Sequence, residues 1–306
     1  MTVMEQRIQA ASRPSWWRRV RGGLSVLFAS KVAVIGLMIV LFWVLVAIFA
    51  PLLTPYSPTA QDYKAQNAAP SAAHILGTDD LGRDIWSRLL YGARVVLVML
   101  PIGEHFWLPL GTAIWGVLLG MIIGTTLGLF GGYLGGWRDE SVMRVLDAMM
   151  AFPVILLYMI IIAAVGSSAT NVVLAIAIVG TPGIARLVRS LTLDIRTRDY
   201  IRAAETRGEN PLYIMFVEIL PNARGPLIID AMLRVGYAIF AIGTLGFLGL
   251  GLPPPTPDWG GMINEARRYI WTNPLGVLWP ALAIASLVVG LNLLADGLRE
   301  ESTRYQ

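Results

Sequence analysis

The chain has 306 residues, of which 56% are hydrophobic and 14% are charged, and its formal net charge is +4. This composition is too apolar for a soluble globular domain and is typical of a protein with many membrane spans. Cysteine is absent, which excludes disulfides and thiolate metal sites, and His74 and His105 are too few and too far apart for a histidine-rich site. Neither Lys31 nor Lys64 lies in a G-x-x-x-x-G-K-[ST] motif, so the sequence contains no P-loop for ATP.

The chain begins with a basic segment, residues 1–31, which we expect to be cytoplasmic. Residues 32–50 follow as an uncharged apolar run, long enough to cross a hydrocarbon core of about 30 Å at 1.5 Å per residue. A cleaved signal peptide is the alternative, but the run is long for one and Pro51 and Pro55 follow it in place of a small-residue cleavage site. We therefore predict a retained first transmembrane helix.

Residues 51–109 are predicted to form an extracytoplasmic segment with one amphipathic helix, from Asp80 to Arg94. Apolar residues recur every four positions there, and Asp79 or Asp80 is placed to cap the helix. This helix either lies on the outer membrane face or belongs to a platform for a substrate-binding protein. The stretch 99–111 is broken by proline and glycine and is expected to be a loop at the membrane surface. Its Glu104–His105 pair is weak evidence for a metal site.

Residues 110–298 are predicted to contain the other five spans, and residues 299–306 a cytoplasmic tail. The second span, residues 110–130, has glycines four positions apart, which leave one helix face free of side chains so that another helix can approach closely. These helix-packing glycines are Gly116, Gly120, Gly124 and Gly128.

The remaining spans are predicted at residues 148–165, 172–185, 226–252 and 275–294. The first of these should bend near Pro153, and the second is so short that a buried helix is the alternative. Within residues 226–252, Asp230 and Arg234 are one helical turn apart and can form an ion pair, which we expect near the cytoplasmic end of the span.

The stretch 199–223 carries charges at close intervals between two apolar blocks. A first helix is predicted up to Gly208, after which Asn210 can cap a second helix that Pro211 begins. The second helix would place four apolar side chains on one face and end at Pro221; they are Leu212, Met215, Phe216 and Ile219. This unit either rests on the membrane surface or docks into a partner protein.

The distribution of basic residues predicts the orientation of the chain. With six spans and the N-terminus inside, the segments assigned to the cytoplasm hold 17 basic residues, against six in the segments assigned to the outside. Because basic residues concentrate in cytoplasmic segments, both termini and the stretch 199–223 are expected in the cytoplasm.

Several motifs resemble the permeases of ATP-binding-cassette importers. Ala203-Ala204, Gly208 and Ile219-Leu220-Pro221 are similar to the EAA loop of that family, although Arg202 stands where the family usually has Glu and Glu205 follows three residues later. Residues 76–84, 247–251 and 254–260 resemble the dipeptide/oligopeptide/nickel branch, specifically its second permease subunit.

The resemblance implies an all-α polytopic fold of the type I importer class, with six transmembrane helices and a cytoplasmic coupling helix within residues 199–221. It implies a bacterial inner-membrane protein that catalyses no covalent chemistry and binds no cofactor or metal itself. Its expected partners are a second permease, two ATPase subunits that hold ATP and Mg²⁺, an extracytoplasmic binding protein and membrane lipid, with no nucleic acid. ATPase coupling is expected of Arg202, Ala203, Ala204, Glu205, Gly208, Met215, Phe216 and Pro221. Contact with the binding protein is expected of Asp79, Asp80, Arg83, Asp258 and Trp259.

The expected cargo is di- or oligopeptide, with nickel, opines and oligosaccharides as alternatives for the same architecture. A secondary transporter is the main alternative of another class, but it would more often show coupling carboxylates near mid-membrane and an inverted repeat, and we find neither. An intramembrane enzyme would need a nucleophile with its base, or metal ligands, within the spans, and the sequence shows no such group.

Overall fold

The computed structural model describes residues 30–102 and 106–304. The predictions for the basic N-terminal segment and for Glu104–His105 therefore fall outside the described residues. The helices are α1 (Lys31–Leu53), α2 (Ile85–Leu97), α3 (Thr112–Leu134), α4 (Gly136–Met150), α5 (Val154–Val165), α6 (Ala169–Ile195), α7 (Asp199–Thr206), α8 (Pro211–Phe247), α9 (Trp259–Ala266) and α10 (Leu275–Arg304). A hairpin of β1 (Met99–Ile102) and β2 (Phe106–Pro109) connects α2 to α3.

Within the described residues, five helices are long and apolar enough to cross a membrane, namely α1, α3, α6, α8 and α10. The pair α4–α5 is bent by 95° and makes a sixth span if it is counted as one. The predicted all-α membrane fold is confirmed, and the bend predicted near Pro153 is present between α4 and α5. Pro153 has no N–H to continue a helix, and the 12 residues of α5 reach only about 18 Å.

Two predicted spans are longer in the structure than their apolar runs. The run 172–185 lies inside the 27-residue α6, which continues past its internal Pro182 to Ile195. The predicted short helix at 211–220 and the span at 226–252 form the single helix α8. Pro221 does not end this helix, because residues 214–219 adopt a π-turn in which the N–H of Leu220 bonds the carbonyl of Met215. The wider turn makes room for the proline ring.

The region between α1 and α3 also differs from the prediction. The helix begins at Ile85 rather than Asp80, and its cap is Asp84, whose side chain accepts from the N–H of Ser87 at 2.8 Å. Ten of the 13 residues of α2 are buried, so this helix belongs to the core and does not lie on the membrane surface. The expected loop at 99–111 is a β-hairpin, and Leu100 of β1 is part of the main apolar core.

Contacts between helix ends define two ends of the bundle. The hydroxyl of Ser167, before α6, donates to the carbonyl of Gly251, so the start of α6 and the end of α8 lie beside α9. At the opposite end, the side chain of Arg196 donates to the carbonyls of Gly132 and Tyr133, both at 3.1 Å, and joins α6 to α3 beside α7. We call these the α9 end and the α7 end.

Candidate coupling surface and membrane cavity

Residues 199–221, which we call the knob, form a helix, a glycine turn and the start of a second helix at the α7 end. Gly208 ends the first helix with φ +78°, a left-handed conformation that glycine adopts without strain. The side chain of Asn210 then accepts from the N–H of Leu212 at 2.8 Å and caps α8. The local signals in the sequence therefore predicted this backbone correctly.

An apolar cluster fixes the knob to the membrane helices. Ile201 and Ala204 of α7 are fully buried, as is Ile219 of α8, and they pack with Ile184 and Val188 of α6. This cluster therefore attaches the knob to the membrane helix α6.

The apolar face predicted for the second helix is divided by the π-turn. Met215 is 1% exposed and belongs to the cluster beneath the knob, whereas Phe216 is 42% exposed. The expectation that Met215 contacts a partner is therefore wrong, since its side chain is enclosed by its own chain. The exposed apolar residues of the knob are Tyr200, Leu212, Tyr213, Phe216 and Val217.

The other predicted coupling residues lie around this apolar surface. Arg202, Ala203 and Pro221 are exposed, but Ala204 is buried and faces the cluster, so it does not offer a contact surface either. The carboxylate of Glu205 accepts from the hydroxyl of Tyr133 at the end of α3, at 3.1 Å. Glu205 therefore joins the knob to a membrane helix.

The glycine stripe of α3 lies against α6. A Cβ atom at Gly116 would be 2.6 Å from Cγ2 of Ile176, and at Gly124 it would be 2.7 Å from Cβ of Ile184. At Gly128 the nearest atom would be the carbonyl oxygen of Ala185, at 2.5 Å, and at Gly120 it would be that of Ala177, at 3.2 Å. The backbone of α3 at these glycines therefore packs directly against side chains and backbone of α6, within one chain.

At the α9 end, a buried ion-pair network occupies part of the predicted binding-protein surface. Asp79 accepts from Nε of Arg83 at 2.6 Å and from Arg88, and both arginines donate to Glu265, at 2.7 and 2.8 Å. Asp79 and Arg83 are buried by these contacts, so their assignment as binding-protein contacts is wrong. Asp80 stays partly exposed. Its pKa is raised, mainly because the carboxyl is partly buried and also because the negative carboxylates of Asp79 and Glu265 lie nearby.

Among the described residues, the carboxylate oxygens of Asp79, Asp80 and Glu265 lie within 4.8 Å of one another, a spacing that could hold a metal ion. Arg83 and Arg88 donate to two of these three carboxylates. The arrangement is therefore better described as an ion-pair network that joins the segment before α2 to α9.

Asp258 and Trp259 are also internal, which corrects their assignment as binding-protein contacts. The carboxylate of Asp258 caps α9 by accepting from Gly260 and Gly261, and burial raises its pKa to about 6 against the opposing effect of these N–H groups. The indole of Trp259 is 1% exposed and donates to the carbonyl of Leu89 at 2.8 Å. Trp259 therefore fixes α9 against α2, while Asp258 fixes the first turn of α9, a helix of eight residues that is too short to be stable without such contacts.

A cavity of about 480 Å³ lies between α3, α4, α5, α6 and α8. Its walls are mainly apolar and include Gly116 and Gly120 of the stripe, with Tyr158, Arg234 and Tyr237 as polar side chains. The predicted ion pair between Asp230 and Arg234 is present and Arg234 lines the cavity. Sequence reasoning missed the cavity, since its walls come from five helices and only the ion pair was visible as a local signal.

The ion pair lies within the spanning parts of two helices. Arg234 is about 20 Å from the Phe247 end of α8, and Gly180, which it contacts, is about 17 Å from the Ala169 end of α6, at 1.5 Å per residue. The expected place of the pair near the cytoplasmic end of its span stays a prediction.

Two family models match this sequence. The binding-protein-dependent transport system inner membrane component matches residues 116–300, and the N-terminal TM domain of oligopeptide transport permease C matches residues 15–70. The chain is 42% identical over 271 residues to the dipeptide transport system permease DppC of Alkalihalophilus pseudofirmus, covering 89% of this chain and 85% of that protein. It is 40% identical over 299 residues to the glutathione transport system permease GsiD of Pectobacterium atrosepticum, covering 97% of this chain and 92% of that protein.

Among solved structures, the MetNI methionine ABC transporter in inward-facing conformations contains a similar chain. The TM-score is 0.50 at 20% sequence identity, and the match covers 63% of this chain and 90% of the other. This likeness shows the fold, which is that of an ABC importer permease. With one family model over more than half of its length and relatives about 40% identical, this chain belongs to the family of inner-membrane components of binding-protein-dependent transport systems.

Proposed function

We propose that this chain is one of two permease subunits of an importer for small peptides. The observation that carries the proposal is the identity of about 40%, over nearly the whole chain, to permeases named for dipeptide and glutathione transport. Both named cargoes are short peptides, and a wholly unrelated cargo such as nickel or an oligosaccharide has no such support. Family membership also argues against a secondary transporter.

The knob is the proposed docking site for an ATPase subunit. Its exposed apolar residues form a surface that would be costly to leave in water, which is a property of protein interfaces. The buried cluster below them would transmit the movement of that partner to α3 and α6. ATP and Mg²⁺ would then be bound entirely by two ATPase subunits, and this chain would catalyse no covalent step.

The proposed cycle is alternating access. ATP binding closes the ATPase dimer and moves the knobs of both permeases, so that the path opens toward an extracytoplasmic binding protein that delivers its peptide. Hydrolysis returns the path to the cytoplasmic side. Because α9, the segment before α2 and their ion pairs form one rigid unit at the α9 end, we place the binding protein over that unit.

The proposed orientation has the knob and both termini in the cytoplasm, because basic residues are concentrated on that side. Single cysteines can test it in this cysteine-free chain. Cysteines at Gln66 and Thr272, which are exposed near the α9 end, should react with an impermeant reagent in intact cells, whereas one at Asn210 should react only after permeabilisation. Labelling at Asn210 in intact cells would contradict the orientation.

The cargo is tested by uptake in cells that carry the whole transporter. Labelled alanyl-alanine and glutathione should enter wild-type cells at a rate that falls to background when this chain is deleted and returns when it is supplied again. Excess unlabelled dipeptide should compete, and nickel or maltose should not. Uptake that does not depend on this chain would refute the peptide assignment.

A further inference from the structure

The ion pair of Asp230 and Arg234 is the feature of the membrane region that helix packing does not explain. A charged side chain within a membrane span is costly, and it usually faces a water-filled path or a ligand. Both side chains are about one-fifth exposed, and Arg234 lines the 480 Å³ cavity. A pair kept for stability alone would gain little over apolar residues of similar size.

The guanidinium of Arg234 uses only some of its N–H donors in hydrogen bonds to the described residues. Its Nε donates to Asp230, one turn earlier on α8, and one terminal nitrogen donates to the carbonyl of Gly180 at 3.2 Å. The other terminal nitrogen makes no hydrogen bond within residues 30–102 and 106–304. It lies 3.0 Å from where a Cβ atom at Gly183 would be, so glycine at this position of α6 allows the group to lie against the helix.

This arrangement fixes the group in place and leaves a donor for a ligand. A guanidinium has five N–H donors in a planar fork that matches a carboxylate. Asp230 offsets its charge, so an anion would be bound weakly enough to leave again, as transport requires. Around the cation the walls are apolar, which strengthens a charge-assisted hydrogen bond inside the cavity.

We propose that Arg234 binds the C-terminal carboxylate of a peptide in transit, while the apolar walls of the cavity accept its side chains. This inference rests on the proposed function, since it identifies the group of the peptide cargo that this chain recognises. Asp230 and the carbonyl of Gly180 position the guanidinium, and Asp230 competes with the substrate for it.

A cysteine reporter in the cavity can test the proposal in the assembled transporter. Val179→Cys places the only thiol of this chain in the cavity lining, where its rate of reaction with a maleimide can be followed. Alanyl-alanine at millimolar concentration should slow this reaction, and alanyl-alanine amide, which lacks the carboxylate, should protect about tenfold less well, the loss expected for one charge-assisted hydrogen bond.

The same comparison is made in the variant Arg234→Gln/Asp230→Asn, which removes both charges together and leaves neither one unpaired. The dipeptide should then protect no better than its amide. Asp230→Asn alone should strengthen protection by the dipeptide, since the competing carboxylate is gone. Arg224→Gln, an exposed arginine on the same helix outside the cavity, is the matched control and should behave as wild type.

Equal protection by dipeptide and amide in the wild-type background, or no protection by either, would overturn the inference. So would full protection by the dipeptide in the doubly neutral variant. If that variant does not assemble with its partners, the wild-type comparison of dipeptide with amide still decides. Failure of wild-type cells to import the dipeptide would instead refute the proposed peptide cargo, so the two failures are distinguishable.

Discussion

Replacing Gly208 by valine should separate ATP hydrolysis from transport. Gly208 has φ +78°, and a Cβ atom there would meet nothing within 4 Å, so the whole cost of a side chain is backbone strain. For a β-branched residue that cost is about 1–3 kcal/mol. This corresponds to a shift of about 5- to 150-fold in the equilibrium between the native turn and a relaxed one.

Relaxation of the turn at Gly208 would move the exposed first turn of α8, because the segments before and after it are fixed in the buried cluster. Ile201 and Ala204 hold α7 in the buried cluster, and Ile219 holds the later part of α8. The first turn of α8 lies between these anchors and carries the exposed Leu212 and Phe216. We therefore expect the proposed docking surface to be displaced while the membrane helices keep their fold.

The assay is the ATPase rate of the assembled transporter in nanodiscs, with and without the peptide-loaded binding protein. Gly208→Val should assemble and keep basal hydrolysis, which belongs to the partner subunits, but lose most of its stimulation and its peptide transport. Thr206→Val is the matched control, because Thr206 is exposed on α7, has ordinary φ and already carries a β-branched side chain of the same shape. It should be stimulated as wild type.

Gly208→Asn tests the cause, since asparagine adopts positive φ more readily than valine. It should recover much of the stimulation. Normal stimulation in Gly208→Val would refute the reasoning, because the strained turn would then not position a coupling surface. An asparagine variant as defective as valine would show that bulk against a partner, rather than φ, is responsible.

Three further predictions follow from the same contacts. Leucine at Gly124 should separate α3 from α6 and lower the yield of assembled complex on co-purification, whereas Ile122→Leu, at an exposed position, should not; equal yields would contradict the backbone contact. Met215→Ala should lower the stability of this chain by about 2–5 kcal/mol in thermal unfolding, while Phe216→Ala should leave stability nearly unchanged and weaken retention of the ATPase; the reverse pattern would contradict the inward and outward assignment. The pKa of Asp258 is raised to about 6 from about 3.9 in the unfolded chain, so its contribution to stability falls by roughly 1–3 kcal/mol as the pH rises from 4 to 6, and Asp258→Asn should remove that slope from melting curves; identical slopes in both proteins would contradict the burial of this carboxyl.

Local sequence signals accounted for the backbone of the knob and for the span helices. The conformation at Gly208 and the cap at Asn210 depend on the residue itself and its neighbours, so they are readable without a tertiary structure. Helix lengths were less accurate, because polar ends that continue a helix beyond the apolar core leave no hydropathy signal. For this reason α6 and α8 extend past their predicted ends.

The sequence by itself determined the membrane class, the helix–glycine–helix unit and the family, because apolar length, glycine spacing and motif residues are local properties. Only the tertiary structure decided which of these side chains face a partner. Met215 is turned inward and Phe216 outward by a π-turn, and Asp79, Arg83 and Trp259 are enclosed by segments distant in sequence. The position of Arg234 was likewise decided by five helices that together enclose a cavity. Burial is the sum of contacts between elements far apart in the chain, and no pattern within one element contains it.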